Sequence, residues 1–392
     1  MSDEAKYSRI IAILYGSLSI DARVLREVKS LSDQGYCMTV LDTELGFGRW
    51  TSFKGVKNHP IIRMNPHQRT SIRLMIKFWF KSLRYMLKRS KHIEVVHTHD
   101  LSALPPAAIF AQFNRRARVI YDSHELFPEA AGEKISILLQ VIFLGIELVF
   151  SRFVDQLITV SPSILKILSK RINAPSSLIM NYPDLERIKD VQGEIPLWKG
   201  PRNDNNVRIA YSGIVMENRG YEKLLDAVEI LREKYGYNSE IWIIGDGPFL
   251  EELKKLVQER DLGRYFKFTG RVNFEELLTL TSECDLAIAL YDSAKNNDAG
   301  LSNKLFEYML IGIPFIFTNL IQSMPILEQV DSVIVANPVS AGDLADAIFS
   351  LIKDPLKMIQ ISQKSKRMIA TRLNWKRESE KLLRIYEEIL PK

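Results

Sequence analysis

Ser302-Asn303-Lys304-Leu305-Phe306-Glu307-Tyr308-Met309-Leu310-Ile311-Gly312-Ile313-Pro314 packs a binding loop, a helix and a helix-ending turn into one segment. Small polar residues at a helix entrance leave backbone N–H groups free to face an anion, and Lys304 adds a mobile positive charge suited to a diphosphate. Positions 303 and 307 share a helix face, so Glu307 can present its carboxylate to a sugar diol while the loop holds phosphate. Leu305, Phe306, Met309 and Leu310 seat the helix, and Gly312 and Pro314 end it. The segment fits a nucleotide-sugar site. A buried α/β helix with an ordinary cap fits the same letters.

Outward from this segment, the chain repeats one punctuation. Ile10 to Tyr15 is a continuous apolar strand, followed by a loop from Gly16 to Ile20 and a helix that Asp21 can cap. Met38–Leu41, Glu94–His97, Val119–Tyr121 and Leu157–Val160 read as further strands with helical stretches between them, and Ser161-Pro162 opens another helix. From about Asp184 to Asn206 the apolar rhythm fades into Gly193, Pro196, Gly200 and Pro201, a linker composition. The alternation restarts with strands at Val207–Tyr211, Glu240–Ile244, Phe266–Phe268 and Asp285–Leu290, and with helices at Gly220–Tyr235 and Pro248–Arg260. Strands alternating with helices predict doubly wound parallel sheets, with ligand at the carboxyl ends of the strands. Helical periodicity from Lys364 to Leu390 predicts core or interdomain packing.

Composition agrees. The chain has 392 residues, 46% hydrophobic and 26% charged, too many for one simple core, which predicts two domains. A net charge of +6 favours an anionic partner, a phosphate ligand or an acidic membrane surface. The basic residues are spread over many helices with no compact basic and aromatic module, so no nucleic acid is expected. Cys37 and Cys284 are the only cysteines, so neither a disulfide scaffold nor a Cys-based zinc site is expected and a reducing cytoplasm fits. Met1 to Tyr7 carries Asp3, Glu4 and Lys6 where a signal peptide needs an apolar core. Ile135 to Phe153 is interrupted by Gln140 and Glu147, which predicts a buried or interfacial helix rather than a membrane span.

Several pieces then match one family in order: Tyr211-Ser212-Gly213, Arg219-Gly220, Ile244-Gly245-Asp246-Gly247-Pro248, Phe268-Thr269-Gly270-Arg271-Val272 and the Ser302–Pro314 segment. In the first half they are Asp21-Ala22-Arg23-Val24-Leu25-Arg26-Glu27, Val96-His97-Thr98-His99-Asp100 and Tyr121-Asp122-Ser123-His124-Glu125. Over essentially its whole length the chain resembles the glycosyltransferase family 4 type of GT-B enzyme. The resemblance implies an α/β fold of two Rossmann-like doubly wound domains facing a central cleft. It also implies transfer of a sugar from a UDP- or GDP-linked donor to an acceptor hydroxyl with retention, and no bound metal or other cofactor. As the diphosphate leaves, cations aimed at it stabilise the transition state more than the ground state. Arg219 and Lys304 are the candidates for that role.

By the same resemblance Glu307 holds the donor ribose, backbone near Arg271 and Val272 borders the base, and Ser302 and Asn303 contact phosphate or sugar. Gly213, Gly245 and Gly247 keep loops open beside the nucleotide, although simple turn geometry would also call for glycine. Two positions depart from the family pattern. Ala299 stands where the family commonly has a Glu that touches the donor sugar, with Asp298 adjacent, and Ile214 stands where it commonly has an Arg.

In the first half, His124 matches a family histidine near the donor sugar and acceptor, suited to bond a hydroxyl or shuttle a proton. Asp122, Glu125 and Asp100 are candidates to orient it or to bind acceptor, and Gly16 and Ser17 to present backbone in the first loop. Asp21 and Arg23 read as cap and surface residues. His97 and His99 alternate on a strand and point to one face, but no third ligand follows at a metal-site spacing, and strand-end hydrogen bonding is the expected role.

Arg69 to Lys91 interleaves basic residues with Phe78, Trp79, Phe80 and Tyr85. Such a helix can lie on an anionic membrane or pack on the sheet with a solvated basic edge. A peripheral position on the inner face of the cell membrane would suit a saccharide or lipid-linked acceptor in surface polysaccharide synthesis. The expected division is an acceptor domain at 1–190, a nucleotide-sugar domain at 191–365 and a C-terminal helix at 366–392 packing across them. A GT-B sugar-nucleotide epimerase and a catalytically degenerate nucleotide-binding scaffold subunit are the alternative functions.

Overall fold

The computed structural model describes residues 9–44, 53–63, 71–127, 136–186, 188, 194–201, 206–291, 301–336 and 339–390. The chain divides into two compact units, residues 1–181 with 375–392, and residues 182–374.

The first unit is built on a seven-stranded sheet of β1 (Ile10–Leu14), β2 (Met38–Glu44), β3 (Val56–Arg63), β4 (Val95–His99), β5 (Arg118–Ser123), β6 (Gln156–Thr159) and β7 (Ser176–Leu178). Its order is β3-β2-β1-β4-β5-β6-β7, and every neighbour is parallel. Central strands are apolar because helices cover both faces, and β1 is buried at all five positions. The edge strands β3 and β7 were not apparent from periodicity. β3 carries Lys57, Asn58, His59 and Pro60 at the rim, where proline is tolerated, and β7 is only Ser176-Ser177-Leu178.

Asp21 caps the helix Ala22–Asp33 by accepting from the Arg23 and Val24 N–H groups, as expected. The helix Ile72–Leu87 within the basic segment buries Phe78, Ser82 and Met86 at fourfold spacing, and its Trp79 Nε1 donates to the Ser102 carbonyl at 2.6 Å. Arg69 lies outside the described residues.

Of the two readings of the apolar run, buried or interfacial, burial is the one the structure does not show. The run forms the helix Ile137–Phe150, in which only Glu147 is buried, while Ile137 is 80% and Leu138 70% exposed. Glu147 is held by Arg171 at 3.3 Å and by the Tyr121 hydroxyl at 3.1 Å.

The second unit has a six-stranded parallel sheet of β8 (Asn206–Ser212), β9 (Asn238–Ile244), β10 (Phe266–Gly270), β11 (Leu286–Ala289), β12 (Phe315–Thr318) and β13 (Val333–Val335), in the order β10-β9-β8-β11-β12-β13. The strand β12 starts directly after the Ser302–Pro314 segment and was hidden in its apolar tail. In the supposed linker, Trp198 is buried and its backbone N–H donates to the Ile311 carbonyl at 2.9 Å, so part of that segment packs on the second unit.

The C-terminal periodicity resolves into two helices, Pro355–Thr371 and Trp375–Ile389. Between them Asn374 donates to the Ile369 and Ala370 carbonyls and ends the first. The chain divides at 181/182 and 374/375, against the expected 190/191 and 365/366. The last helix belongs to the first unit. Trp375, Leu382, Ile385 and Tyr386 join the core of β1, β2 and the helix Ala22–Asp33, and Trp375 Nε1 donates to Ser30 Oγ at 2.8 Å. Leu382→Ala should therefore cost about 2–5 kcal/mol of first-unit stability, read by chemical denaturation. A loss below about 0.5 kcal/mol would show that this helix is not part of the core.

Candidate active site

In the second sheet the order reverses between β8 and β11, so loops leaving these strands part at their carboxyl ends. A cavity of about 360 Å³ opens there, lined among others by Gly213, Ile214, Arg219, Tyr291, Ser302, Asn303, Lys304 and Glu307. The helix Asn303–Ile311 starts at its wall. Ser302 sits at the N-cap in an extended conformation, yet its side chain makes no cap bond and instead bonds the Tyr291 hydroxyl. The first-turn N–H groups are thus not capped by Ser302, as an anion site requires.

Lys304 is only 8% exposed. Its ammonium lies 5.0 Å from the Tyr211 ring centre and 5.7 Å from that of Tyr291, and the Arg219 guanidinium stacks 4.2 Å above Tyr291. Burial and then the Arg219 charge lower the Lys304 pKa to about 7, while Glu307 opposes them. Burial raises Glu307 to about 7, against the pull of Lys304. Lys304, Arg219 and, one turn away, the Glu307 carboxylate therefore face the same cavity.

The backbone explains the glycines. Gly213 has φ +101°, and a Cβ there would sit 2.6 Å from Lys304 Cε, in the space the lysine stem uses. Cβ atoms at Gly245 and Gly247 would approach the carbonyl oxygens of Gly213 and Val215 to 2.1 Å. These two glycines let neighbouring strand-end loops pack backbone to backbone, and they do not line the cavity. Arg271 and Val272 are not among its lining residues either. Asp298 and Ala299 lie outside the described residues.

Sequence reading missed Tyr291, together with the apolar lining residues Met216, Leu277, Leu301 and Leu320. The signal for Tyr291 was its place just past a strand end at the reversal of strand order. Tyr211 and Tyr308 support the site from beneath: the Tyr211 hydroxyl donates to the Arg219 carbonyl at 2.7 Å, and the Tyr308 hydroxyl bonds Ser212 and Ile288.

In the first unit the reversal falls between β1 and β4. The Gly16 carbonyl accepts from the Thr43 N–H, and the Ser17 hydroxyl bonds Ser19, so both belong to the first loop as expected. Asp100, in a left-handed conformation at φ 63°, accepts from the His124 N–H at 2.8 Å and holds the ring Nδ1 at 3.4 Å. Asp122 holds the ring Nε2 at 3.3 Å. Burial would lower the His124 pKa, but these two carboxylates outweigh it and raise it to about 10. The ring is 17% exposed, and both nitrogens face carboxylates.

One expectation narrows here and another changes. Asp122 is fully buried, so it positions His124 rather than meeting an acceptor. Arg23 is not a surface residue: it is 4% exposed and clamps Asp122 through Nε and Nη2, each at 2.9 Å, while Nη1 donates to the Ile179 carbonyl and to Asn181. Despite burial, Arg23 and His124 hold the Asp122 carboxyl well below its usual range. Glu125 is exposed, and its carbonyl accepts the Ser123 hydroxyl.

Comparison with known proteins agrees with this geometry. Residues 196–369 match the family model described as glycosyl transferases group 1, and residues 22–187 match glycosyltransferase family 4. The chain is a GT-B glycosyltransferase of the family 4 type. A glycosyltransferase of Methanocaldococcus jannaschii described as uncharacterised is 21% identical over 87% of this chain and 84% of its own length. The fold matches sucrose-phosphate synthase of Thermosynechococcus elongatus with a TM-score of 0.72 at 15% identity, covering 98% of this chain and 99% of that one. It matches Anabaena HepE, solved with UDP and glucose, with a TM-score of 0.70 at 16% identity, covering 97% and 100%.

If Lys304 carries the anion, nucleotide diphosphate affinity must follow its charge. The ammonium is charged below pH 7 and lost above it, so UDP affinity of this glycosyltransferase should fall about tenfold between pH 6.5 and 8.5 relative to Lys304→Arg, which stays charged. Calorimetric titration checks this. Parallel pH profiles for the two proteins would remove Lys304 from the anion site.

Proposed function

We propose that this enzyme transfers a glycosyl unit from a UDP-sugar, with a GDP-sugar as the second candidate donor, to a hydroxyl of a saccharide or lipid-linked acceptor with retention of configuration. The observation that carries the reading is the nearly buried Lys304 ammonium beside Arg219, with Glu307 one helical turn away, in a cavity at a strand-order reversal. The UDP and UDP-glucose complexes of the HepE neighbour support the choice of base.

In this reading the β-phosphate sits at the helix entrance of Ser302 and Asn303, where Lys304 and Arg219 oppose the charge that grows as the diphosphate departs. Glu307 accepts from the ribose diol. No metal is needed at the diphosphate, because protein cations neutralise it. His124, held between Asp100 and Asp122, reaches a substrate hydroxyl by exchanging its Asp100 partner for it.

A lipid-linked acceptor is favoured by one surface. The helices Ile72–Leu87 and Ile137–Phe150 both pack on the helix Leu104–Phe113, and Phe80, Phe113, Ile137 and Val141 are all exposed on these three helices. Lys77, Lys81 and Arg84 are exposed on the first of them. Apolar side chains flanked by lysine and arginine suit an anionic membrane. Among the described residues no helix is long and apolar enough to cross one.

With a UDP-sugar panel and mixed acceptors, UDP release should require acceptor and yield a glycosylated product. Lys304→Ala and Arg219→Ala should each lower kcat/KM at least about tenfold, or about 1.4 kcal/mol, and His124→Ala should lower kcat by about a hundredfold. Sugar interconversion without acceptor would indicate an epimerase, and nucleotide binding without turnover a scaffold. Co-sedimentation with anionic vesicles should be lost in Ile137→Asp/Val141→Asp while UDP binding persists. Unchanged sedimentation would remove the membrane surface.

A further inference from the structure

The helix Ile137–Phe150 is tied to the strand that leads to His124, and to the loop that follows it. Its inward face carries Phe143 and Glu147, one turn apart. Glu147 is fully buried, and its Oε1 accepts from the Tyr121 hydroxyl at 3.1 Å, three residues before His124. The Phe143 ring meets the Phe127 ring edge-on, with centres 4.9 Å apart, three residues after His124. Arg171, at the end of the helix Pro162–Arg171, balances the Glu147 charge by donating to Oε2 at 3.3 Å. His124 therefore stands in the middle of the stretch 121–127, whose two ends are held by one helix.

The outward face of the same helix is open. Ile137, Leu138, Val141, Ile142, Leu148 and Val149 are all exposed, and a contiguous apolar face of this kind marks a contact surface. Positive charge comes from two other helices of the first unit. Ile72–Leu87 exposes Lys77, Lys81 and Arg84, and Pro162–Arg171 exposes Lys166 and Lys170, which with Ser163, Ile167 and Arg171 line a groove of about 450 Å³. An apolar helix accompanied by exposed lysine and arginine fits the boundary between acyl chains and anionic headgroups. We propose, on the basis of the membrane surface described above, that an anionic bilayer is the outer support of the helix Ile137–Phe150, and that Phe143 and Glu147 pass this support through Phe127 and Tyr121 to His124.

The coupling follows from what each face of the helix does. A bilayer shifts the chain toward the conformation it binds better, and that is the one with the apolar face seated. Seating the outward face fixes the helix, and the two inward contacts then restrict the stretch between them. In the proposed function the His124 ring exchanges its Asp100 partner for a substrate hydroxyl. The backbone on either side must keep its place while the ring does so, and within the first unit it is already held at one point, where Asp100 accepts the His124 N–H at 2.8 Å. Tyr121, Phe127, Phe143 and Glu147 are thus positioning residues that act through His124 rather than on the substrate.

The test is amide hydrogen exchange of the full-length protein with vesicles of phosphatidylcholine and phosphatidylglycerol, alongside co-sedimentation. Vesicles should slow exchange across 137–150 and, by at least about threefold, at 124–127. Phe127→Ala and Phe143→Ala should still sediment with the vesicles and still slow across 137–150, while the slowing at 124–127 is lost. Phe143→Leu, which keeps an apolar contact, should restore part of it. A purely structural role for these rings would not make exchange at His124 depend on lipid. Slowing at 137–150 without slowing at 124–127 in the wild type overturns the proposal, and so does undiminished slowing at 124–127 in both alanine variants. If Phe143→Ala does not fold, the wild type and Phe127→Ala decide. Self-association without vesicles that already protects 137–150 would give the apolar face to a second copy of the chain and overturn the proposal as well. A wild type that does not sediment removes the membrane surface itself, which separates that failure from failure of the coupling alone. UDP affinity measured in parallel separates both from failure of the donor site.

Discussion

In a parallel sheet all strands point the same way, so every carboxyl end lies on one edge, and where successive connections run to opposite faces the loops part and leave a crevice. Both units obey this constraint. In the second, the crevice between β8 and β11 receives the entrance of the helix Asn303–Ile311, and the cavity lined by Lys304, Arg219 and Glu307 follows from that placement. In the first, the reversal between β1 and β4 puts the first loop and the His99-Asp100 strand end side by side, with His124 arriving from the next strand.

Both places bury charge that a stable core would not choose. A buried ion pair contributes little net stability, because desolvation offsets the attraction, but removing one partner is costly. The Arg23–Asp122 pair is fully enclosed and fixes the partner of His124, whereas Lys304 is buried against tyrosine rings with its charge facing the cavity. The first arrangement is satisfied within the protein. The second leaves both groups facing the cavity, and burial draws Lys304 and Glu307 to near-neutral pKa values.

Much of the candidate site in the second unit was legible because Ser302 to Glu307 is contiguous and its helix phase follows from spacing alone. The central strands were legible because burial on both faces makes them uniformly apolar. The rims were not: β3 mixes polar residues with Pro60, and β7 has only three residues. The bond between His97 Nδ1 and the Tyr386 hydroxyl was illegible, since it spans 289 residues of chain. Arg23 read as surface because a helix periodicity cannot tell a solvated arginine from one that meets a buried carboxylate. For the apolar helix Ile137–Phe150 both burial and an interfacial position stayed open, because hydrophobicity predicts burial against something and does not say against what.

Amide hydrogen exchange of the full chain with and without UDP tests the central claim most directly, because it reads the site residue by residue without depending on acceptor or sugar. The account predicts slowed exchange at Gly213–Met216 and across Ser302–Glu307, where the loop and the first helical turn meet the diphosphate. Slowing confined to other segments, or no change at the entrance of that helix, would contradict it.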